Sequence, residues 1–158
     1  MPDGTEFLFP GAEPGHGTRI YKQSIHGGSP TPITPEGCVP AVTTVLADGE
    51  LVLAECLGKW KLYSLKEGAP REAKGIHPGD SPLNWTKDGN LWVLDTWSTN
   101  SAQIFRVNPY TGSRLLWKKI YVDSFSGITF GVITADGNTF VDTEYASSGS
   151  LRKVSGLH

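Results

Sequence analysis

Three carboxylates and two histidines are the residues of this chain best suited to chemistry. Glu55, Asp95 and Glu144 stand at equivalent positions when the apolar runs around Leu51-Val52-Leu53-Ala54, Leu91-Trp92-Val93-Leu94 and Phe140-Val141 are aligned, and Gly11 takes that place in the first such segment. Carboxylates gathered about a common axis would begin the shell of six to eight oxygens that Ca²⁺ prefers. With His16 or His77 joining them, a transition metal such as Zn²⁺ becomes suitable, and water bound to it would attack an ester or phosphoester. The plainer reading stands beside this one, because the ends of apolar runs that face solvent are commonly acidic.

A second set consists of Glu13, His16, His77, Asp80 and Trp97, all in segments that read as loops on one face, where a ligand would be met. His16 lies in Gly15-His16-Gly17, where a mobile surface histidine is the ordinary outcome. His77 opens His77-Pro78-Gly79-Asp80, in which Asp80 suits the shaping of a turn as well as contact with a ligand. Trp97 and Tyr145 offer flat surfaces for stacking. Nucleophilic catalysis has no recognisable form, since no Gly-x-Ser-x-Gly elbow occurs and Ser126-Gly127 lacks the rest of one. The glycines from Gly11 to Gly17 precede no strand-to-helix pattern and so make no phosphate loop.

The elements that must position these groups are strands. Asp3-Gly4, Asp48-Gly49, Asp88-Gly89 and Asp136-Gly137 recur at intervals of roughly 40–48 residues, each followed by an apolar or aromatic run. In the second unit, Val39 to Leu46 reads as a strand before the turn and Leu51 to Ala54 as a fully buried strand after it. Trp60 to Leu65 then alternates with period two, as a half-buried strand does. The third unit repeats this, with Pro82 to Thr86, Leu91 to Leu94, Gln103 to Val107 and Arg114 to Trp117. The first unit begins at its turn, without the preceding strand, and the fourth ends after Leu151 to Val154 without an outer strand.

Several short strands per unit at this period describe an all-β β-propeller with about four blades of antiparallel strands. They fall near 1–37, 38–78, 79–120 and 121–158 of one domain spanning 1–158. Hydrophobic residues at 38%, 19 glycines and 11 prolines suit a turn-rich β protein. A net charge of −2 with no basic cluster beyond Lys118-Lys119 excludes a phosphate-backbone footprint, so no nucleic acid is expected as a partner. No apolar run reaches the ~18–20 residues of a membrane-spanning helix, so no membrane partner is expected either. Met1-Pro2-Asp3-Gly4 lacks the pattern of a secretory signal, which predicts a cytoplasmic location. If Asp48-Gly49 forms a two-residue hairpin, Ala41 faces Cys56 and Cys38 lies about three residues, roughly 10 Å, away from it. Free thiols are the expectation.

The turns carry a resemblance. Ala47-Asp48-Gly49, Lys87-Asp88-Gly89 and Ala135-Asp136-Gly137 resemble degenerate forms of the Ser-Pro-Asp-Gly turn of TolB-like, WD-repeat-like propeller repeats, and Met1-Pro2-Asp3-Gly4 nearly restores it. The stretches from Pro32 to Asp80 and from Ala135 to Leu157 resemble the C-terminal portion of large bacterial proteins with such repeats, often fused to serine/threonine kinase domains. The resemblance implies six or more blades in a full ring, where this chain supplies about four. A homodimer making one eight-bladed ring is therefore expected. The leading functional expectation is a binding module whose loop-rich face receives a protein or small-molecule ligand. The competing one is a metal-dependent hydrolase of the esterase, lactonase or phosphotriesterase type, using the carboxylates with His16 or His77 and a Ca or Zn ion.

Overall fold

The computed structural model describes residues 3–46, 49–66, 68–98, 101–121 and 126–146, and the side chains of 42–44, 96–98, 126–130 and 144–146 lie outside the description. The described residues form thirteen strands in four antiparallel sheets. The first sheet holds β1 (Glu6–Gly11), β2 (Arg19–Ser24) and β3 (Thr31–Pro32). The second holds β4 (Cys38–Val45), β5 (Leu51–Cys56), β6 (Lys59–Ser64) and β7 (Arg71–Glu72). The third holds β8 (Ser81–Trp85), β9 (Leu91–Ser98), β10 (Ser101–Val107) and β11 (Arg114–Tyr121), and the fourth β12 (Ser126–Ile133) and β13 (Phe140–Ala146). In every sheet the strands lie side by side in chain order, the meander expected of propeller blades. The expected strand at Leu151 to Val154 lies outside the described residues.

Strand parity explains why the middle sheets read as unbroken apolar runs. In β5, Val52, Ala54 and Cys56 pack with Ile20 and Leu8 of the first sheet, while Leu51 and Leu53 belong to the core shared with Trp85, Leu91 and Val93 of the third. In β9, Leu91 and Val93 face the second sheet, and Trp92 and Leu94 pack with Ile133 and Phe140 of the fourth. A strand buried on both sides has no polar face, so alternation disappears. The inner strands β4, β8 and β12 pack side by side in succession, and β4 also touches β1 and β2. No comparable packing joins β12 or β13 back to β1–β3 among the described residues, so these four sheets form an arc.

The recurring turns are built alike but differ from a two-residue hairpin. Gly89 N donates to Thr86 O (3.1 Å) and Gly137 N to Thr134 O (2.9 Å). Gly89 (φ 76) and Gly137 (φ 73) are left-handed whereas Asp88 and Asp136 are not. One left-handed residue after an ordinary turn is the wider, bulged hairpin, and it demands glycine only at its end. The Thr86 hydroxyl donates to Asp88 Oδ1 (2.5 Å) and accepts from Asn90 N (2.9 Å), and the Thr134 hydroxyl donates to Asp136 Oδ1 (2.6 Å).

The cysteines are bonded, which corrects the expectation of free thiols. Val45 pairs with Val52, in the register expected from the turn. Further along, Pro40 pairs with Ala54, so the four residues Ala41 to Thr44 of β4 stand opposite Leu53 alone. This bulge slides Cys38 directly across from Cys56. Their Cα atoms are 4.1 Å apart and a disulfide joins them. The Tyr63 hydroxyl lies 3.2 Å from Cys56 Sγ and 3.7 Å from Cys38 Sγ, and burial pushes its pKa up.

Among the described residues no strand pairs with β1 on the side away from β2. Ile20 directs its backbone towards β3, accepting from Ile33 N (2.9 Å) and donating to the Thr34 hydroxyl (2.9 Å). Its partner across the pair, Pro10, consequently turns its own backbone outward, on the side of β1 where the sheet stops.

Candidate interaction surface

β1 and β2 alternate in character, and among the described residues a neighbouring sheet packs on one of their faces. Leu8, Ile20 and Ile33 point to the second sheet. On the other face Phe9 stands directly across from Tyr21, ring centroids 5.7 Å apart and 21° from parallel, with Phe7 5.6 Å from Phe9. Phe7 is 42% exposed, Phe9 is half-buried and Tyr21 is buried at 5% exposure. Beside this aromatic row opens a cleft of about 350 Å³, lined by Phe9, Gly11, Ala12, Glu13, Tyr21 and Pro30. Gly11 makes room for it, since a Cβ there would lie 3.3 Å from Tyr21 Cδ2. Tyr21 donates its hydroxyl to Glu13 Oε1 (3.0 Å), and burial and that carboxylate both push the phenol pKa up.

The loops beside this face are tied together by Glu36. Its carboxylate accepts from Gly17 N (2.9 Å) and from Arg19 Nη2 (2.5 Å), and His16 Nδ1 lies 2.7 Å away. The backbone bond from Gly17, then His16 and Arg19, hold the Glu36 pKa down to about 2 against an ordinary 4.5. Gly37 N donates to Thr18 O (2.8 Å) and Leu57 N to Gly37 O (3.1 Å), which joins the loop before β4 to those before β2 and β6. Leu57 adopts a left-handed φ of 52 and is 86% exposed. A group whose folded pKa is depressed stabilises above its unfolded pKa and loses that effect as pH falls towards the folded value. Glu36→Gln is therefore expected to lower the melting temperature at neutral pH, with the difference from the parent chain closing between pH 4.5 and about 2. Thermal melts at a series of pH values check this, and a gap that stays constant down to pH 2 contradicts it.

The residues singled out in the sequence divide into separate places. Glu13 and His16 belong to one loop, where His16 N donates to Glu13 O (2.9 Å). His77 and Asp80 form a different cluster, in the connection from β7 to β8. Asp80 Oδ2 accepts from His77 N (2.7 Å) and from Arg114 Nη1 (2.5 Å), and Arg114 also donates to Gly75 O (2.7 Å) and lies over the Phe105 ring. The Asp80 side chain is only 1% exposed. Parity puts Glu55 on the face of β5 shared with Leu53, and Asp95 on the face of β9 shared with Val93, so both border the seam between the second and third sheets. The side chains of Glu144 and Trp97 lie outside the described residues. Among the described residues no group of three His, Cys, Asp or Glu side chains could hold a metal ion.

Glu36, Arg19 and the Phe7-Phe9-Tyr21 row carry this surface and were not among the sequence candidates. The available signal was Phe7-Leu8-Phe9, a strand apolar on both faces. At the opposite end of the arc, too, no sheet packs over one face among the described residues. Val132 pairs directly with Val141, and they are 47% and 62% exposed.

No family model matches the chain, and no curated protein does. Among solved structures it is similar to TolB from Acinetobacter baumannii, with a TM-score of 0.62 and 22% identity over 94% of this chain. That alignment spans 37% of the TolB chain, so the described arc corresponds to a part of a larger propeller structure. The likeness establishes the β-propeller fold.

Proposed function

We propose that this chain is a protein-binding propeller arc whose two uncovered end faces are its interaction surfaces, and that a second copy occupies them. The observation that carries this reading is the aromatic row of the first sheet, in which Phe7 stands 42% exposed and Phe9 half-buried beside a buried Tyr21. Exposed apolar faces rimmed by polar loops mark protein contacts. The two ends are unlike, aromatic on the first sheet and β-branched on the fourth, so the contact joins one chain's first sheet to the other's last. A two-fold axis makes both joints equivalent, and two arcs of four sheets give eight, within the range in which propellers close. The Glu36-centred loops frame the joint by fixing the rim of the aromatic face. No catalytic step is assigned to this surface.

Size-exclusion chromatography with light scattering tests the assembly. The mass of two chains is expected at micromolar concentration, and Phe7→Lys or Val141→Lys is expected to give the mass of one. A single-chain mass for the unaltered protein overturns the second copy as occupant and leaves further propeller sheets of another polypeptide to fill the ends.

A further inference from the structure

The seam between the third and fourth sheets, on the side of the Asp-Gly turns, contains a second cavity of about 400 Å³ that the end faces do not involve. We propose that it binds a neutral saccharide against the corner formed by Trp92 and Trp117. The two indoles have centroids 5.4 Å apart and planes 59° apart, giving a floor and a wall. Trp92 is buried at 5% exposure, and Trp117, at 39%, presents its surface to the opening. The corner depends on Gly137, because a Cβ there would fall 2.7 Å from Trp92 Cζ2.

The rim decides the class of ligand. Asp88 and Asp136 stand with Arg106 and Lys87, two carboxylates and two cations with no net charge. Asp88 is ion-paired to Arg106 and also accepts from Asn90 Nδ2 (3.0 Å). Asp136 is held by Thr134 and by Asn138, whose Nδ2 donates to Oδ2 (3.0 Å), and a carboxylate oxygen retains capacity for a further donor. The turns thus hold these groups in place before any ligand arrives, which limits the cost of ordering. A cationic ligand would meet Arg106 and Lys87, and Lys118 Nζ already lies 5.6 Å from the Trp117 ring centroid. An anion would meet Asp88 and Asp136. A sugar ring presents a C–H face to an indole and hydroxyls at its margin to carboxylate and guanidinium, and it carries no charge.

Saturation-transfer NMR on the whole chain tests this with maltotriose, cellotriose and chitotriose, and with choline and glucuronate as charged probes. At least one trisaccharide is expected to bind saturably with a Kd on the order of 1 mM, as ligand efficiency allows for so small a contact. Trp117→Ala is expected to weaken it about tenfold or more, Trp117→Phe to retain part of it, and Asp136→Asn to weaken it, with circular dichroism unchanged. Three outcomes overturn the proposal: no saturable signal from any of the sugars, preference for choline or glucuronate, or binding that Trp117→Ala leaves intact. Because the cavity lies away from both end faces, a single-chain mass in the assembly test leaves this result readable by itself.

Discussion

Asp80→Ala is expected to cost about 3–5 kcal/mol of folding stability, the largest effect of any polar substitution in the described residues. Asp80 is buried, with a side chain 1% exposed, and its partner Arg114 is 13% exposed. Removing the carboxylate strands a guanidinium among Phe105, Gly75 O and the edge of the core containing Ala73 and Ile76. It also takes away the acceptor for His77 N. The connection from β7 to β8 is short of alternatives, since Gly75 already sits so close to Gly112 that a Cβ would fall 2.8 Å from its carbonyl oxygen. At roughly 2–4 °C per kcal/mol for a chain of this size, the melting temperature drops by on the order of 10 °C. Asp80→Ala with Arg114→Ala should lose clearly less than the two single changes together, because neither then leaves a buried charge behind. Urea unfolding of the four chains measures this. A loss under 1 kcal/mol for Asp80→Ala would mean that the pair does not hold the connection.

Reduction of the Cys38–Cys56 bridge is the second large effect. The bridge closes a loop of 18 residues. In the chain-entropy account such a loop is worth about 3 kcal/mol. A melting temperature lower by on the order of 10 °C is expected with reductant, and Cys38→Ala with Cys56→Ala should reproduce it. Agreement between the two separates the bridge from simple packing, because both cysteines are buried against Ile20, Val52 and Tyr63. Intact-mass measurement after alkylation of the unreduced protein decides the premise: two alkylated thiols would sink it. A bridge of this kind persists only in oxidising surroundings, so in a reducing compartment the less stable dithiol form would be the working state.

Much of the architecture was readable from residue order because its determinants are local. The Asp88-Gly89 and Asp136-Gly137 turns bring adjacent strands together, and the runs Leu51 to Ala54 and Leu91 to Leu94 announce sheets covered on both sides. What escaped depends on register and on contacts distant in sequence. The disulfide was missed because a bulge has no compositional mark; Ala41 to Thr44 look like any strand. The Asp80–Arg114 pair joins residues 34 apart, and the seat of Glu36 draws on Gly17, His16 and Arg19 from another loop. Equal spacing of Glu55 and Asp95 says nothing about which seam a side chain borders. The aromatic end face was unreadable for the opposite reason. Phe7 and Phe9 look like core residues, and only the arrangement of sheets tells that among the described residues no sheet packs over them.

Pro10 has a bearing on how safely such a molecule can be left unfinished. A terminal strand with a full row of outward amides would accept any extended polypeptide, and stacking of that kind leads towards fibres. At Pro10 the outward position has no amide hydrogen, so the row is broken. Contact through the rings of Phe7 and Phe9 needs no amide and is untouched by this gap. If the first sheet's face receives a second copy as proposed, stickiness is thereby steered from the rim, where almost any chain would serve, to a shaped patch.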